Sequence, residues 1–172
     1  MATDNSKITF KNEPIKVSGK SLSVGDKLPE FKLTGLDLSD VTASKFDGKI
    51  LCISVVPSID TPVCQTQTAV FNEKIAPLAD SVAVLTVSMD LPFAQKRWCG
   101  AEGVEFVTMA SDYKYHQFGE QFGVKLDSLG LLARAVIVAD PKGKVAYVEY
   151  VDEVTSEPNY DKAIEAIQAL NN

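Results

Sequence analysis

Histidine is nearly absent from this sequence of 172 residues, where His116 stands alone. A tetrahedral Cys/His zinc centre would have to gather that residue and all three cysteines, Cys52, Cys64 and Cys99, from distant positions. There is no CxxC, and a scattered odd set of cysteines is unlike the dense even set of a disulfide framework. No metal centre is expected, and the thiols are expected to be reduced, as in the cytoplasm. Lys and Arg number 17 against 23 Asp and Glu, a net charge of -6. With Lys96-Arg97 the nearest approach to a basic patch, nucleic acid is not an expected partner. Long apolar runs are lacking too. Residues 50–56 and 129–139 fall well short of the about 20 needed to cross a bilayer. The first ten residues mix Thr, Asp, Asn, Ser and Lys where an export signal would be apolar. A cytoplasmic protein with no membrane segment is the expectation.

What is present has the proportions of an ordinary globular protein, 45% hydrophobic and 23% charged. Without repeat, low-complexity tract or linker, residues 1–172 read as one domain. Short apolar runs at 8–10 and 15–17 around Lys11-Asn12-Glu13-Pro14 predict a hairpin within an N-terminal extension over residues 1–20. A short strand is expected at 31–33 and doubly buried strands at 50–56 and 82–87. Cys64, Thr68, Phe71, Ile75 and Leu78 form one helical stripe. Leu91-Pro92-Phe93 opens a helix carrying Trp98 and Cys99 that Gly100 is expected to end, and a strand over 105–109 follows. Residues 113–122 predict another helix. Strands 133–139 and 145–150 flank the turn Asp140-Pro141-Lys142-Gly143, and 160–170 reads as an amphipathic helix. The order βαβαβαββα suits an α/β fold, a thioredoxin-like three-layer α/β/α sandwich after the N-terminal β-hairpin.

The chemistry turns on Thr61-Pro62-Val63-Cys64. Thr is a good N-cap, Pro suits the first helical position, and Cys64 then falls in the first turn. Free backbone N–H groups and the helix dipole favour a thiolate there, the nucleophilic form of cysteine. Asp60 opposes this, so a cation must come from elsewhere in the fold. Arg134, set among Leu131, Leu132, Ala133, Ala135 and Val136, is the candidate, since its burial would demand an anionic partner.

The run Pro57-Ser58-Ile59-Asp60-Thr61-Pro62-Val63-Cys64 matches the peroxiredoxin pattern PxxxTxxC. Asp90-Leu91-Pro92-Phe93-Ala94-Gln95-Lys96-Arg97-Trp98-Cys99 resembles the resolving-cysteine segment of the bacterial thiol peroxidase subfamily, and the likeness extends over nearly the whole chain. The resemblance implies a thioredoxin-dependent, atypical two-cysteine peroxidase without cofactor, acting on hydroperoxides, commonly as a homodimer. By position it gives Cys64 the peroxidatic role and Cys99 the resolving role, through an intramolecular disulfide. Thr61 and Arg134 would hold thiolate and peroxide, and Pro57 would shield the site from water. The same resemblance leans to alkyl hydroperoxides. Cys52, inside an apolar strand, reads as inert core and His116 as a half-exposed helix residue. Two other classes stay open: a thioredoxin-like disulfide reductase, which would prefer a CxxC, and a non-catalytic binding or holdase protein on the same fold.

Overall fold

The computed structural model describes residues 7–172, so the start of the expected N-terminal extension lies outside the described residues. In chain order the elements are β1 (Thr9–Phe10), β2 (Glu13–Pro14), β3 (Val17–Ser18), β4 (Lys32–Gly35), β5 (Asp40–Thr42), β6 (Ile50–Val55), α1 (Pro62–Ile75) and β7 (Val82–Ser88). Then come α2 (Pro92–Glu102), β8 (Val107–Ser111), α3 (Phe118–Gln121), β9 (Lys125–Leu126), β10 (Leu131–Leu132), β11 (Ala135–Ala139), β12 (Val145–Tyr150) and α4 (Tyr160–Asn171). The main sheet has the order β12-β11-β6-β7-β8-β4-β5. Its centre, β6-β7-β8, is parallel, and β11 joins β6 antiparallel.

Alternate strand residues face opposite ways, and both faces of the sheet centre are apolar, as the continuous Ile/Val/Leu runs predict. Ile50, Cys52, Val84, Met109 and Val136 meet Phe71 and Ile75 of α1, Trp98 of α2 and Ile167 of α4 on one face. On the other, Leu51, Ile53, Val55, Leu85 and Ile137 pack with Phe46, Phe118, Phe122 and Leu126. A central sheet flanked by helices in this way is the expected thioredoxin-like α/β fold. Crossovers of parallel strands leave the carboxyl ends of β6, β7 and β8 on one edge, where clefts form in such sheets. Because β11 runs antiparallel, its start lies at that edge too, with Ala135 opposite Val55.

Several local expectations need correction. The N-terminal hairpin pairs Thr9 with Pro14, so its second arm is Glu13–Pro14 and residues 15–17 are not that arm. Lys11 and Asn12 both adopt positive φ, 53° and 66°, which makes the connection a tight two-residue turn. Val17–Ser18 instead joins β9 in a small second sheet with β10. The helix expected to stop at Gly100 continues to Glu102, and Gly103, at φ 64°, closes it by donating its N–H to the Cys99 carbonyl. The helix expected over 113–122 shrinks to Phe118–Gln121. The buried Asp112 carboxylate accepts the N–H groups of Gln117, Phe118 and Gly119, and His116 sits at φ 53°, which diverts the backbone from a helix. The strand expected at 105–109 is Val107–Ser111, that at 31–33 is Lys32–Gly35, and that at 133–139 begins at Ala135. Leu78, expected on the α1 stripe, falls in a short 3-10 turn, Ala76–Leu78, and Gln67 is buried in the stripe in its place.

The hairpin turn is tied to the segment after β12 by one carboxylate. Glu153 accepts the Asn12 N–H at 2.6 Å, the Thr9 hydroxyl at 2.9 Å and the Thr155 N–H at 2.7 Å. Burial pushes its pKa up, but the hydrogen bonds from Thr155, Asn12 and Thr9 outweigh that and hold it at about 2, below the ordinary 4.5. A carboxylate with a lowered folded pKa adds stability above its unfolded value, and that stability is lost as the pH falls through the folded one. Glu153→Gln is therefore expected to lose less thermal stability than the parent between about pH 5 and about pH 3, and to exchange the Asn12 and Thr155 amides faster. Equal acid sensitivity of the two proteins would remove Glu153 from this account.

Candidate active site

At the edge where the parallel strands end, β6 passes through Val56 and buried Pro57 into α1. Thr61 caps the helix as its position implies: its Oγ accepts the Cys64 N–H at 3.4 Å and its hydroxyl donates to the Ser58 carbonyl at 3.1 Å. Pro62 occupies the first helical position, where a missing N–H costs nothing. Cys64 follows in the first turn, fully buried.

Arg134 lies between β10 and β11, just before the antiparallel strand returns beside β6. It is 2% exposed and among the largest buried side chains of the chain. Its Nε donates to the Val154 carbonyl at 2.8 Å, Nη1 to Gln67 Oε1 at 2.8 Å, and Nη2 to the Cys64 sulfur at 3.4 Å. Gln67 in turn donates to Ser54 of β6 at 2.7 Å. No Asp or Glu forms an ion pair with Arg134 among the described residues. The Cys64 sulfur is thus the one atom touching the guanidinium that can take a full negative charge. Burying a guanidinium without a counter-charge is strongly unfavourable, and this contact sets the sulfur where a negative charge would be matched.

Asp60, expected to oppose that charge, is exposed and lies 3.9 Å from Arg97 of α2. Its field is partly matched and screened by solvent.

A cavity of about 320 Å³ is bordered by Thr61 and Arg134, with the buried Cys64 behind its lining. Thr61, Arg134 and Thr155 contribute its polar lining, Pro57, Pro62, Val63 and Val154 its apolar walls, and Phe10 and Lys11 come from the hairpin. Pro57, Thr61, Cys64 and Arg134 are therefore brought together. Cys99 is not part of this group: it sits inside α2, half-buried, with its sulfur against Met109 of β8. Burial pushes the Cys99 thiol up to about 11 and the Cys52 thiol up to about 12. All three cysteines are free thiols. His116 is exposed in a turn, not half-exposed in a helix, and lines no part of the cavity. No group of three His, Cys, Asp or Glu side chains among the described residues could hold a metal ion. No helix among them is long and apolar enough to cross a membrane.

Gln67 is the site residue that sequence reasoning missed. Its signal was available: a polar residue three positions after Cys64 shares the buried face of the helix, and an amide there needs a partner. Val154 had no comparable signal, because it acts through its backbone carbonyl.

The Redoxin family matches residues 23–164. Thiol peroxidases of Streptococcus pneumoniae (strain R6) and Bacillus subtilis (strain 168) are 54% and 51% identical to this chain over 163 residues, which cover 95% of it and 99% and 97% of them. Among solved structures, a peroxiredoxin-like protein from Aquifex aeolicus is similar at a TM-score of 0.88 and 42% identity, covering 95% of this chain and 96% of that one. With a first-turn cysteine against a buried arginine and relatives alike over almost its full length, the chain belongs to the Redoxin family.

Proposed function

We propose that Cys64 is the peroxide-reducing nucleophile of a thiol-dependent peroxidase and Cys99 the thiol that resolves its oxidised form. The chain is an enzyme of the thiol peroxidase kind, and the contact of buried Arg134 with the Cys64 sulfur carries the assignment of roles. The Cys64 thiolate attacks one peroxide oxygen, and the S–O bond forms as the O–O bond breaks. The leaving alkoxide or hydroxide takes a proton and departs as alcohol or water, leaving a sulfenic acid. The Cys99 thiolate then attacks that sulfur, forming the disulfide. Hydroxide leaves and combines with the proton given up by Cys99 to form water. A dithiol protein of the thioredoxin kind restores both thiols by exchange.

Arg134 serves the first step by holding charge as it passes from sulfur to oxygen, a preorganised donor at the wall of the cavity. Thr61 fixes the first turn, and in this arrangement its hydroxyl proton points to Ser58; turning it toward the peroxide is part of the proposed step. Pro57 closes one wall. Water takes about 30 Å³ in the liquid, so a cavity of about 320 Å³ with apolar walls has room for the alkyl group of an organic hydroperoxide as well as for hydrogen peroxide.

The second step needs movement. A disulfide requires Cα atoms within about 7 Å, yet the two sulfurs face different partners from two intact helices. Unwinding α2 around Cys99 also relieves the burial that keeps its thiol protonated, so one motion supplies both reach and reactivity. Thioredoxin as reductant and a homodimeric state belong to this reading through the subfamily resemblance. Exposed Leu91 and Phe93 at the start of α2 offer apolar surface for a second copy.

A disulfide reductase is disfavoured by Gln67. It occupies the position that the second cysteine of a CxxC would hold, and it is committed to Arg134.

A coupled assay with thioredoxin, its reductase and NADPH tests the reading. NADPH loss should require a hydroperoxide, and insulin-disulfide reduction without peroxide would instead favour the reductase. Arg134→Ala and Thr61→Val are each expected to slow the reaction of Cys64 with peroxide, by about a hundredfold for Arg134, with the circular dichroism of the parent retained. A folded variant reacting at the parent rate would exclude that residue from the mechanism. Cys99→Ser is expected to consume about one equivalent of peroxide and then stop with thioredoxin as sole reductant. Sustained turnover would place the resolving thiol elsewhere.

A further inference from the structure

We propose that Asp90, which follows β7 and touches neither cysteine, is a positioning residue that couples the two thiol-bearing helices. It holds the loop that orders Cys64 and, through Ser88 and Gln95, keeps α2 wound around Cys99. The proposal rests on the roles assigned above to Cys64 and Cys99.

One arm runs toward Cys64. Asp90 Oδ1 accepts the Ser58 hydroxyl at 2.8 Å and Oδ2 accepts the Ile59 N–H at 2.7 Å. The Ser58 carbonyl then accepts both the N–H of Thr61, at 3.2 Å, and its hydroxyl, at 3.1 Å. Thr61 Oγ is thereby fixed to receive the Cys64 N–H. The Asp90 carboxylate thus determines where the cap of α1 stands.

The other arm runs toward Cys99. Asp90 Oδ2 also accepts the Ser88 hydroxyl, at 2.6 Å, and Ser88 Oγ accepts Gln95 Nε2 at 3.0 Å. Gln95 Nε2 donates as well to the Ala110 carbonyl of β8 at 3.0 Å. Gln95 is fully buried and stands four positions before Cys99, on the same face of α2. The Ser88 hydroxyl has one proton. Its donation to a charged acceptor strengthens its own acceptance from Gln95, so the arm responds as a unit.

The underside of α2 is otherwise poorly satisfied. Thr86 Oγ1, Gln95 Oε1 and Trp98 Nε1 are buried with no hydrogen-bond partner among the described residues. Each gains solvation when the helix leaves the sheet, which offsets part of the burial of Trp98 that holds it there. Apart from the contact of the Cys99 sulfur with Met109, the two bonds of Gln95 Nε2 are the buried side-chain hydrogen bonds of α2. The Asp60–Arg97 pair spans the same two segments, but both partners are exposed and the tie is weak. When oxidation of Cys64 disturbs the first turn of α1, the Ser58–Ile59 loop shifts and draws the Asp90 carboxylate with it, so that Ser88 loses its charged acceptor and its hold on Gln95 weakens. The timing of α2 unwinding is thereby linked to the state of Cys64.

The test separates the two chemical steps. In a Cys99→Ser background the second-order rate of the reaction of Cys64 with peroxide is read alone. In the protein with both cysteines, the first-order rate of disulfide formation is read from the emission of Trp98, the neighbour of Cys99. Asp90→Asn keeps the shape but loses the charge and one acceptor oxygen. It is expected to slow the first step and speed the second, each by about tenfold, the effect of a hydrogen bond to a charged group. A variant that merely weakened the fold would not move the two rates in opposite directions. Gln95→Met, which cuts the α2 arm alone, is expected to speed disulfide formation by a similar factor. The double variant should be no faster than either single one, because both open the same connection. Multiplying effects, or an Asp90→Asn protein whose disulfide step is unchanged or slower, would overturn the coupling. Should Asp90→Asn fail to fold, Ser88→Ala removes the relaying oxygen and carries the same expectation for disulfide formation, non-additive with Gln95→Met. Peroxide consumption by Cys64→Ser would overturn the roles themselves, and is distinguishable because it does not involve Asp90.

Discussion

A guanidinium buried just before β11 is the constraint on which the rest of the site depends. Arg134 can stay there because a carbonyl from the segment after β12 and, from α1, the Gln67 amide and the Cys64 sulfur converge on its three nitrogens. The topology makes that convergence possible. β11 enters the sheet antiparallel to β6, so its first residues arrive where β6 ends and α1 begins. Were β11 parallel to β6, its start would lie at the opposite edge, away from Cys64. The same arginine that the fold must accommodate therefore also fixes the place of the Cys64 sulfur, the contacting atom able to match its charge.

The three cysteines are one chemical group in three settings. Cys52, locked in β6 under the helices, has its thiol pushed up to about 12 by burial and no cation to offset it. Cys99 is pushed up to about 11 by the packing of α2. Cys64 is as buried as Cys52, yet it alone meets a cation and a helix N-terminus. Burial by itself suppresses thiol reactivity. Cys64 differs from both in being buried beside a fixed positive charge, an environment that neither Cys52 nor Cys99 has.

How much of this could be read from the sequence follows from the range of the interactions involved. The strand centre and the start of α1 were legible because their signals are local: Ile/Val runs, then a Thr-Pro pair in the capping positions. Arg134 was legible as a misfit, a charge inside an apolar run that had to find an anion. The stretch after β8 misled because its helical pattern is overridden by Asp112, which takes the N–H groups that a helix would leave free. Gly100 misled because glycine permits a helix end without requiring one, and the positive φ occurs at Gly103. Asp90, Glu153 and the Val154 carbonyl carried no local signal. Their function lies in what they accept from segments distant in sequence, which spacing does not encode.

In the cycle we propose for Cys64 and Cys99, the helix that bears Cys99 faces opposed requirements. While Cys64 waits for peroxide, α2 must stay wound, since Pro92 and Trp98 are buried there and Cys99 belongs out of reach. Once Cys64 is oxidised, the same helix must yield quickly, because a sulfenic acid left waiting can be oxidised further to species that a thiol does not rescue. A well-satisfied helix would meet the first need and fail the second. α2 has instead an N-cap, Leu91, that supplies no side-chain hydrogen bond, and buried polar atoms without partners on its underside. Its C-cap bond ends on the carbonyl of Cys99 itself. Drawing Cys99 out of the helix removes the acceptor of the Gly103 N–H, so the cap and the thiol leave together.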